Sequence, residues 1–221
     1  MDQIEVFTGQ PSKIIVAFGD SITAMNRWVK PLQRRLFDAY GGDYALMNAG
    51  IGGNCLLYDI PGLMGVSYGE KGVSRFERDV LRFSGLCGVI LALGVNDVAY
   101  YSQKTGAVIS LEQYGSAVTD IVDRLHKVGV RVIAQTLPPR SGFVKKGYTP
   151  EMEALRVSIN EWIRDSALFD YMVDADALLR DPKNPSFTDE RYHQGDHLHP
   201  NQAGGMLMAQ AYDLQKLTGE A

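Results

Sequence analysis

Short runs of apolar residues alternate along this chain with longer segments whose apolar residues recur at helical spacing. A run that is apolar throughout is typical of a strand covered on both faces, as in a parallel sheet. The longer segments between such runs then serve as the helical connections of that sheet. The five apolar runs predict strands over Lys13–Phe18, Tyr44–Asn48, Gly88–Leu93, Val130–Thr136 and Tyr171–Val173.

Four segments carry the apolar stripe of an amphipathic helix. One stripe ends before Gly129, a residue type that commonly ends helices, and another follows Thr149-Pro150, a pair suited to a helix cap and first turn. The alternation of strands and helices predicts a three-layer α/β domain with right-handed crossovers. The stripes are Val118, Ile121, Val122, Leu125 and Val128; Met152, Leu155, Ile159, Trp162 and Ile163; Trp28, Leu32, Leu36 and Phe37; and a C-terminal helix over Met206–Leu217.

The composition fits one globular domain over residues 1–221. Apolar residues make up 45% and charged residues 22%, as in ordinary soluble proteins. The formal net charge is −4 and no basic run is longer than Lys145-Lys146, so nothing indicates a nucleic-acid partner. No apolar stretch approaches the roughly 20 residues of a membrane span. We therefore expect a small, neutral or weakly polar substrate, and the sequence leaves the oligomeric state open.

Cysteine content and the chain start bear on cofactors and compartment. Cys55 and Cys87 are too few for a disulfide framework or a zinc ribbon. The segment Met1–Val6 lacks the basic and apolar regions of a secretion signal, which makes the cytoplasm the expected compartment. The glycine-rich segment Tyr58–Gly72 predicts a long irregular loop, either a rim or lid of a site or a packed surface excursion.

Polar and glycine residues follow three of the predicted strands, at the sheet edge where parallel α/β proteins bind ligands. Ser21, after the first strand, would lie beside unpaired N–H groups of a starting helix, although a serine there is usually only a cap. Asn48–Asn54, after the second strand, has glycines that can turn an N–H toward a ligand; a tight turn is the alternative. In Gly94–Asp97, Asn96 could aim its amide at a developing oxyanion and Asp97 could hold the turn by local hydrogen bonds, unless the segment is simply a loop.

A fourth polar segment, Asp196–Pro200, lies near the end of the chain. Its three-residue spacing across a turn can bring the Asp196 carboxylate to one ring nitrogen of His199, which leaves the other nitrogen to take the Ser21 proton. His197 is a weaker choice of base, because a directly adjacent Asp has difficulty reaching its ring. A serine near the start and Asp-x-x-His near the end predict a hydrolase.

A metal site is the main alternative for the histidines of this region. Three histidines and a carboxylate could act as ligands, but their irregular spacing matches no common zinc motif, so we expect no metal. Two acidic residues after the fifth strand could also orient the histidine, although a helix cap explains them better. The four possible ligands are His193, Asp196, His197 and His199, and the two acids are Asp174 and Asp176.

Together and in this order, the four polar segments resemble the sequence blocks of the SGNH (GDSL) hydrolase family. The resemblance extends over nearly the whole chain. Within the family the chain is most similar to the xylanolytic-esterase-like branch. The family blocks are Gly19–Ile22, Asn48–Gly53, Gly94–Asp97 and Asp196–Pro200, and the branch-level similarity lies in Arg27-Trp28, Gly50–Asn54, Arg75–Val80 and Gly195–Asn201.

This resemblance implies the three-layer α/β/α SGNH hydrolase fold, with a five-stranded parallel sheet in flavodoxin-like order. It implies Ser21 as the nucleophile, His199 as the base and Asp196 as the orienting acid. The implied oxyanion hole consists of the backbone N–H groups of Ser21 and Gly53 and the side chain of Asn96. The serine lacks the Gly-x-Ser-x-Gly elbow of ordinary α/β hydrolases. No metal or organic cofactor is required.

The expected function is that of a serine esterase acting on short acyl esters, chiefly acetyl, with carbohydrate esters among the expected substrates. A lysophospholipase or thioesterase for longer chains is the alternative within the same chemistry. A non-catalytic binding module on this fold and a metal-dependent hydrolase are alternatives from other classes. Residues that could line an acyl tunnel, or merely pack a loop, are Leu56, Leu57, Tyr58, Leu63 and Met64.

Overall fold

All five predicted strands are present, with ends that differ by no more than two residues from those expected. The computed structural model describes residues 12–60, 68–99, 108–143 and 147–220. Four consecutive residues of the first strand, 15–18, are completely buried. Because successive strand residues point to opposite faces, both faces of the sheet are covered. The strands are β1 Lys13–Gly19, β2 Tyr44–Gly50, β3 Leu86–Ala92, β4 Arg131–Gln135 and β5 Tyr171–Val173.

The strands form one parallel sheet in the order β2-β1-β3-β4-β5, which is the predicted flavodoxin-like order. The register sets Gly19, the last residue of β1, beside Gly50 of β2 and Ala92 of β3. The three chain segments that follow these residues therefore begin side by side at the carboxyl edge of the sheet, as the sequence predicts for its first three polar segments.

Helices pack on the sheet in two groups. The second helix contacts the eighth, while the fifth contacts the third and sixth. None of the helices in the described part of the chain combines the length and apolar character needed to cross a membrane. The helices are α1 Ser21–Ala24, α2 Val29–Tyr40, α3 Gly72–Phe76 with a π-helical turn over Glu77–Leu81, α4 over the described residues 95–99, α5 Leu111–Lys127, α6 Pro150–Asp165, α7 Ala175–Leu179, α8 Gln202–Ala211 and α9 Leu214–Thr218.

Two residues assigned to apolar stripes do not face the core. Val128 is 64% exposed, because α5 ends at Lys127 and Gly129 takes a left-handed conformation with φ 74°. Phe37 lies on α2 but is 54% exposed, although Leu32 and Leu36 on the same helix are fully buried. The predictions for Val128 and Phe37 are wrong, because periodicity alone does not show where a helix stops or how wide its buried face is.

The single C-terminal helix predicted over Met206–Leu217 is wrong as well, because the segment is divided into α8 and α9. Asp213 caps α9 by accepting a hydrogen bond from the Lys216 N–H. Tyr212, just before it, has extended backbone and is fully buried, with its ring stacked on Trp28 at a centroid distance of 5.6 Å. The anchored tyrosine and the Asp cap together break a stripe that otherwise has helical spacing.

Replacing Tyr212 with Phe should destabilise the fold by about 1–3 kcal/mol, because the Tyr212 hydroxyl donates a 2.7 Å hydrogen bond to the buried Oε1 of Gln135. Urea unfolding of the wild type and of the Tyr212→Phe variant measures the loss. Tyr40→Phe is the matched control, since the Tyr40 ring packs against Tyr44 and its hydroxyl bonds to none of the described residues. Equal stability of the two variants would contradict the assigned role of the hydrogen bond.

Candidate active site

Ser21 begins α1 immediately after a tight turn at the end of β1. The carboxylate of Asp20 caps this helix by accepting a 2.9 Å hydrogen bond from the Ile22 N–H. The Ala24 N–H donates to the Asp20 carbonyl, which closes the first helical turn. The N–H of Ser21 thus lies at a helix start, and none of the described residues accepts a hydrogen bond from it.

The structure brings the Ser21 hydroxyl, the His199 ring and the Asp196 carboxylate into one hydrogen-bonded line. Ser21 Oγ lies 2.9 Å from His199 Nε2, and His199 Nδ1 lies 2.5 Å from Asp196 Oδ2. The other carboxylate oxygen, Oδ1, accepts hydrogen bonds from the backbone N–H groups of Leu198 and His199. The spacing argument for Asp196 and His199 therefore matches the observed geometry.

The pKa of the Asp196 carboxyl is low enough for this group to stabilise a positive charge on the neighbouring His199 ring. Partial burial alone would raise the pKa of this carboxyl. The hydrogen bonds from the His199 ring and from the backbone of His199 and Leu198 outweigh burial and lower the pKa to about 2. The carboxylate is therefore ionised at neutral pH and can stabilise a protonated imidazole beside it.

His197 and His193 lie next to this line of residues but outside it. The His197 backbone has φ 61°, and its ring packs against the His193 ring at 4.3 Å between centroids. His193 Nδ1 accepts hydrogen bonds from the N–H groups of Gly195 and His197. Across the described ranges, no group of three or more His, Cys, Asp or Glu side chains is arranged to hold a metal ion.

Asp174 and Asp176 are engaged elsewhere. Asp174 caps α7 through the Ala177 N–H, as expected, and pairs with Arg164 at 2.8 Å. Asp176 is buried and pairs with Arg156 at 2.6 Å. Neither carboxylate bonds to a histidine, so the structure does not support their use as the acid that orients His199.

Asn96 is buried on α4, beside the glycine-containing segment after β2. Its Nδ2 donates a 3.0 Å hydrogen bond to the carbonyl of Asn54, the neighbour of Gly53. Gly53 has φ 73°, a conformation that favours glycine, and its N–H bonds to none of the described residues. The Ile51 N–H donates to the Gly19 carbonyl, so this segment also lies against the turn that carries the serine.

Asp97 does more than hold its own turn through local hydrogen bonds, as the sequence suggests, because besides the bond with its own backbone N–H its carboxylate bonds outside the turn. Its two carboxylate oxygens accept 2.8 Å hydrogen bonds from the N–H groups of Leu56 and Leu57, which belong to the segment after β2. Burial raises the pKa of Asp97 to about 7, although these backbone bonds oppose the rise. Asp97 thus joins two of the three segments that meet at this sheet edge.

Arg75 joins the ends of β1 and β2, and sequence reasoning assigns it no role in the site. Its guanidinium is completely buried and donates to the carbonyls of Gly19 and Ala49, near the ends of β1 and β2, at 2.9 Å. It also donates to the Asn54 side chain at 3.0 Å and pairs with Asp79. An arginine on a short helix ordinarily predicts a solvated residue, so only the three-dimensional packing reveals this function.

Arg140 and Phe143 are two further residues near the site to which sequence reasoning assigns no role. Arg140 Nη1 lies 3.3 Å from Asn96 Oδ1, and the Phe143 ring packs edge-on against the His199 ring at 5.7 Å. Both follow β4, so the rule that ligands bind beyond the carboxyl ends of parallel strands would have directed attention to them.

The loop predicted over Tyr58–Gly72 is described only at its two ends. Residues 61–67, including Leu63 and Met64, lie outside the described residues. Leu56 is completely buried in the core and does not line a tunnel, whereas the Tyr58 hydroxyl donates to the Asn96 carbonyl at 3.1 Å. Tyr58, at the start of this loop, is therefore bonded to the segment that carries Asn96.

Comparison with known proteins gives a consistent result. Residues 17–206, most of the chain, match the GDSL-like lipase/acylhydrolase family. No curated protein matches the chain in sequence. Three similar solved structures are an acetyl xylan esterase (22% identity, 90% of this chain and 96% of the other, TM-score 0.64), a carbohydrate acetylesterase family member from Sinorhizobium meliloti (17%, 94% and 99%, 0.67) and a GDSL-like lipase from Bacteroides thetaiotaomicron VPI-5482 (19%, 92% and 89%, 0.64). At these identities the likeness shows a shared fold.

Replacing Gly50 with Ala should lower kcat by about a hundredfold, the effect of a displacement of about 1 Å in a positioned reactive group. A Cβ atom at Gly50 would lie 2.4 Å from the Ala24 nitrogen and 2.9 Å from the Asp20 carbonyl oxygen, so the serine turn must move. Ester hydrolysis by purified variants provides the measurement. Gly52→Ala is the control, because a Cβ there meets nothing within 4 Å. Similar rates for the two variants would show that Gly50 does not set the position of the turn.

Proposed function

Because this chain belongs to the GDSL-like lipase/acylhydrolase family, whose members hydrolyse esters, we propose that Ser21, His199 and Asp196 are its catalytic triad and that short acyl esters are its substrates. The observation that carries the proposal is the unbroken hydrogen-bonded line from the Ser21 hydroxyl through the His199 ring to the ionised Asp196 carboxylate. Such a line provides the nucleophile, base and orienting acid of two-step acyl transfer.

In the first step, His199 Nε2 removes the Ser21 proton as Oγ attacks the carbonyl carbon of the ester. The imidazolium formed is stabilised by Asp196, which lies 2.5 Å from the opposite ring nitrogen. His199 then returns the proton to the leaving alcohol oxygen as its bond to the acyl carbon breaks. The products of this step are the free alcohol and an ester of Ser21.

In the second step, water attacks the acyl-serine while His199 again accepts a proton and then gives it to Ser21 Oγ. The acid is released and the enzyme returns to its starting state. Both steps place negative charge on the carbonyl oxygen. We assign the stabilisation of that charge to the N–H groups of Ser21 and Gly53 and to the Asn96 amide.

Two observations favour substrates with short acyl groups. Leu56 and Tyr58 are candidates to line an acyl tunnel, but Leu56 packs into the core and Tyr58 is bonded to the segment carrying Asn96. Two proteins of similar fold are described as an acetyl xylan esterase and a carbohydrate acetylesterase family member. An acetyl ester on a carbohydrate is accordingly our proposed natural substrate.

A serine-directed fluorophosphonate should form one adduct, on Ser21, because that hydroxyl alone is paired with the His199 base. Peptide mapping by mass spectrometry locates the adduct. Ser21→Ala should lose both labelling and turnover, whereas Ser116→Ala, a change on the exposed face of α5, should keep both. Undiminished hydrolysis by Ser21→Ala would refute the triad, and tight sugar binding without labelling would favour a non-catalytic module.

The kcat/KM for nitrophenyl esters should fall from acetate through butyrate to octanoate, since Leu56 packs into the core and Tyr58 is bonded to the segment carrying Asn96, so neither is available to line an acyl tunnel. Initial rates across the three esters, corrected with the Ser21→Ala variant, provide the measurement. A rise in kcat/KM with chain length would replace the acetyl esterase proposal with a lysophospholipase or thioesterase.

A further inference from the structure

Arg140 is a buried cation beside the Asn96 amide. It follows β4 after two prolines, and the residue is 2% exposed. Its Nη1 atom lies 3.3 Å from Asn96 Oδ1. A guanidinium is always protonated in proteins, so a permanent positive charge lies next to this amide, within the protein interior.

The two ends of the Asn96 amide have different partners, and these partners fix its orientation. Oδ1 accepts from Arg140, and Nδ2 donates to the Asn54 carbonyl at 3.0 Å. In the flipped orientation, the NH₂ group would face the guanidinium and the carbonyl oxygen would face the Asn54 carbonyl. Both contacts would be repulsive, so only the observed orientation satisfies Arg140 and Asn54 together.

The observed orientation leaves one hydrogen available for a substrate. An amide NH₂ group carries two hydrogens, and the Asn54 carbonyl accepts only one of them. We propose that Arg140 is a positioning residue that holds the Asn96 amide with its second N–H directed at the developing oxyanion and makes that N–H a stronger donor. This inference rests on the proposed function, in which Asn96 belongs to the oxyanion hole.

The Asn96 N–H becomes a stronger donor because Arg140, which bonds to the amide oxygen, is positively charged. A cationic group bonded to the amide oxygen draws electron density from the amide nitrogen, which increases the positive charge on its hydrogens. The benefit grows as the oxyanion forms, so it should appear in the transition state more than in substrate binding. Loss of Arg140 should therefore reduce kcat and leave KM little changed.

A double-mutant cycle on acetyl ester hydrolysis tests this proposal. Asn96→Ala alone should reduce kcat by about 10²–10³, as removal of one oxyanion donor does elsewhere. Arg140→Met alone should reduce kcat by about 10–10², the range for a hydrogen bond to a charged group. In the Asn96→Ala background, Arg140→Met should change kcat by less than about threefold, because its effect passes through Asn96.

Arg156→Met is the matched control. Its guanidinium is as buried as that of Arg140 and supports the same segment through the Leu137 carbonyl, but it makes no hydrogen bond to Asn96. If Arg140 merely maintained the segment after β4, Arg156→Met would lower kcat to the same extent and independently of Asn96. Arg140→Lys, which keeps the charge, should recover part of the lost kcat and serves for the cycle if Arg140→Met does not fold.

The outcomes separate this proposal from the proposed function. Normal kcat in the folded Arg140 variants would overturn the positioning role. So would an equal fold loss of kcat from Arg140→Met in the wild-type and Asn96→Ala backgrounds. In both cases Ser21→Ala would remain inactive. Hydrolysis that survives Ser21→Ala would instead overturn the triad itself.

Discussion

The site depends on the register of three parallel strands, which places their carboxyl ends side by side. Gly19 of β1 lies in register with Gly50 of β2 and with Ala92 of β3, so the segments that follow leave the sheet next to one another. Ser21, the glycine-containing segment after β2 and the Asn96 amide therefore lie close together although they are far apart in the sequence. A shift of one strand by one residue would exchange the side chains on its two buried faces, and this would disrupt their close packing against the helices on each side.

Buried charged side chains then fix the conformation of these segments. Loops lack the repeating hydrogen bonds of helices and strands, yet their buried backbone groups still need partners. Arg75 supplies donors to two strand-end carbonyls, and Asp97 supplies acceptors to the N–H groups of Leu56 and Leu57. Because Arg75 and Asp97 both bond to backbone groups of these segments, they hold the segments in place at the edge of the site.

Sequence patterns could predict the elements of this fold better than its long-range contacts. Apolar runs predict each of the five strands in the described residues, and Ser21 and Asn96 are predicted at one sheet edge because each follows a strand, since both signals are local. The Asp97 bonds join residues about 40 positions apart, and no periodicity reports such pairs. Sequence reasoning gives Arg75 and Arg140 no role in the site because a charged residue is ordinarily solvated, and only tertiary packing shows them buried and paired.

The environments of two aspartates explain why Asp196, and not Asp20, is suited to act on the histidine. Asp20 adjoins Ser21 in the chain, but it is fully buried, and burial raises its pKa to about 6 in spite of the Ile22 N–H bond and the nearby positive charge of Arg140. Asp196 instead has a lowered pKa of about 2, because the His199 ring and two backbone N–H groups donate to it. A carboxylate that is costly to ionise serves to hold a turn, whereas one that is stably ionised can stabilise an imidazolium. Hydrogen-bond donors, more than distance along the chain, therefore make Asp196 the better suited of the two acids to the orienting role that we propose for it.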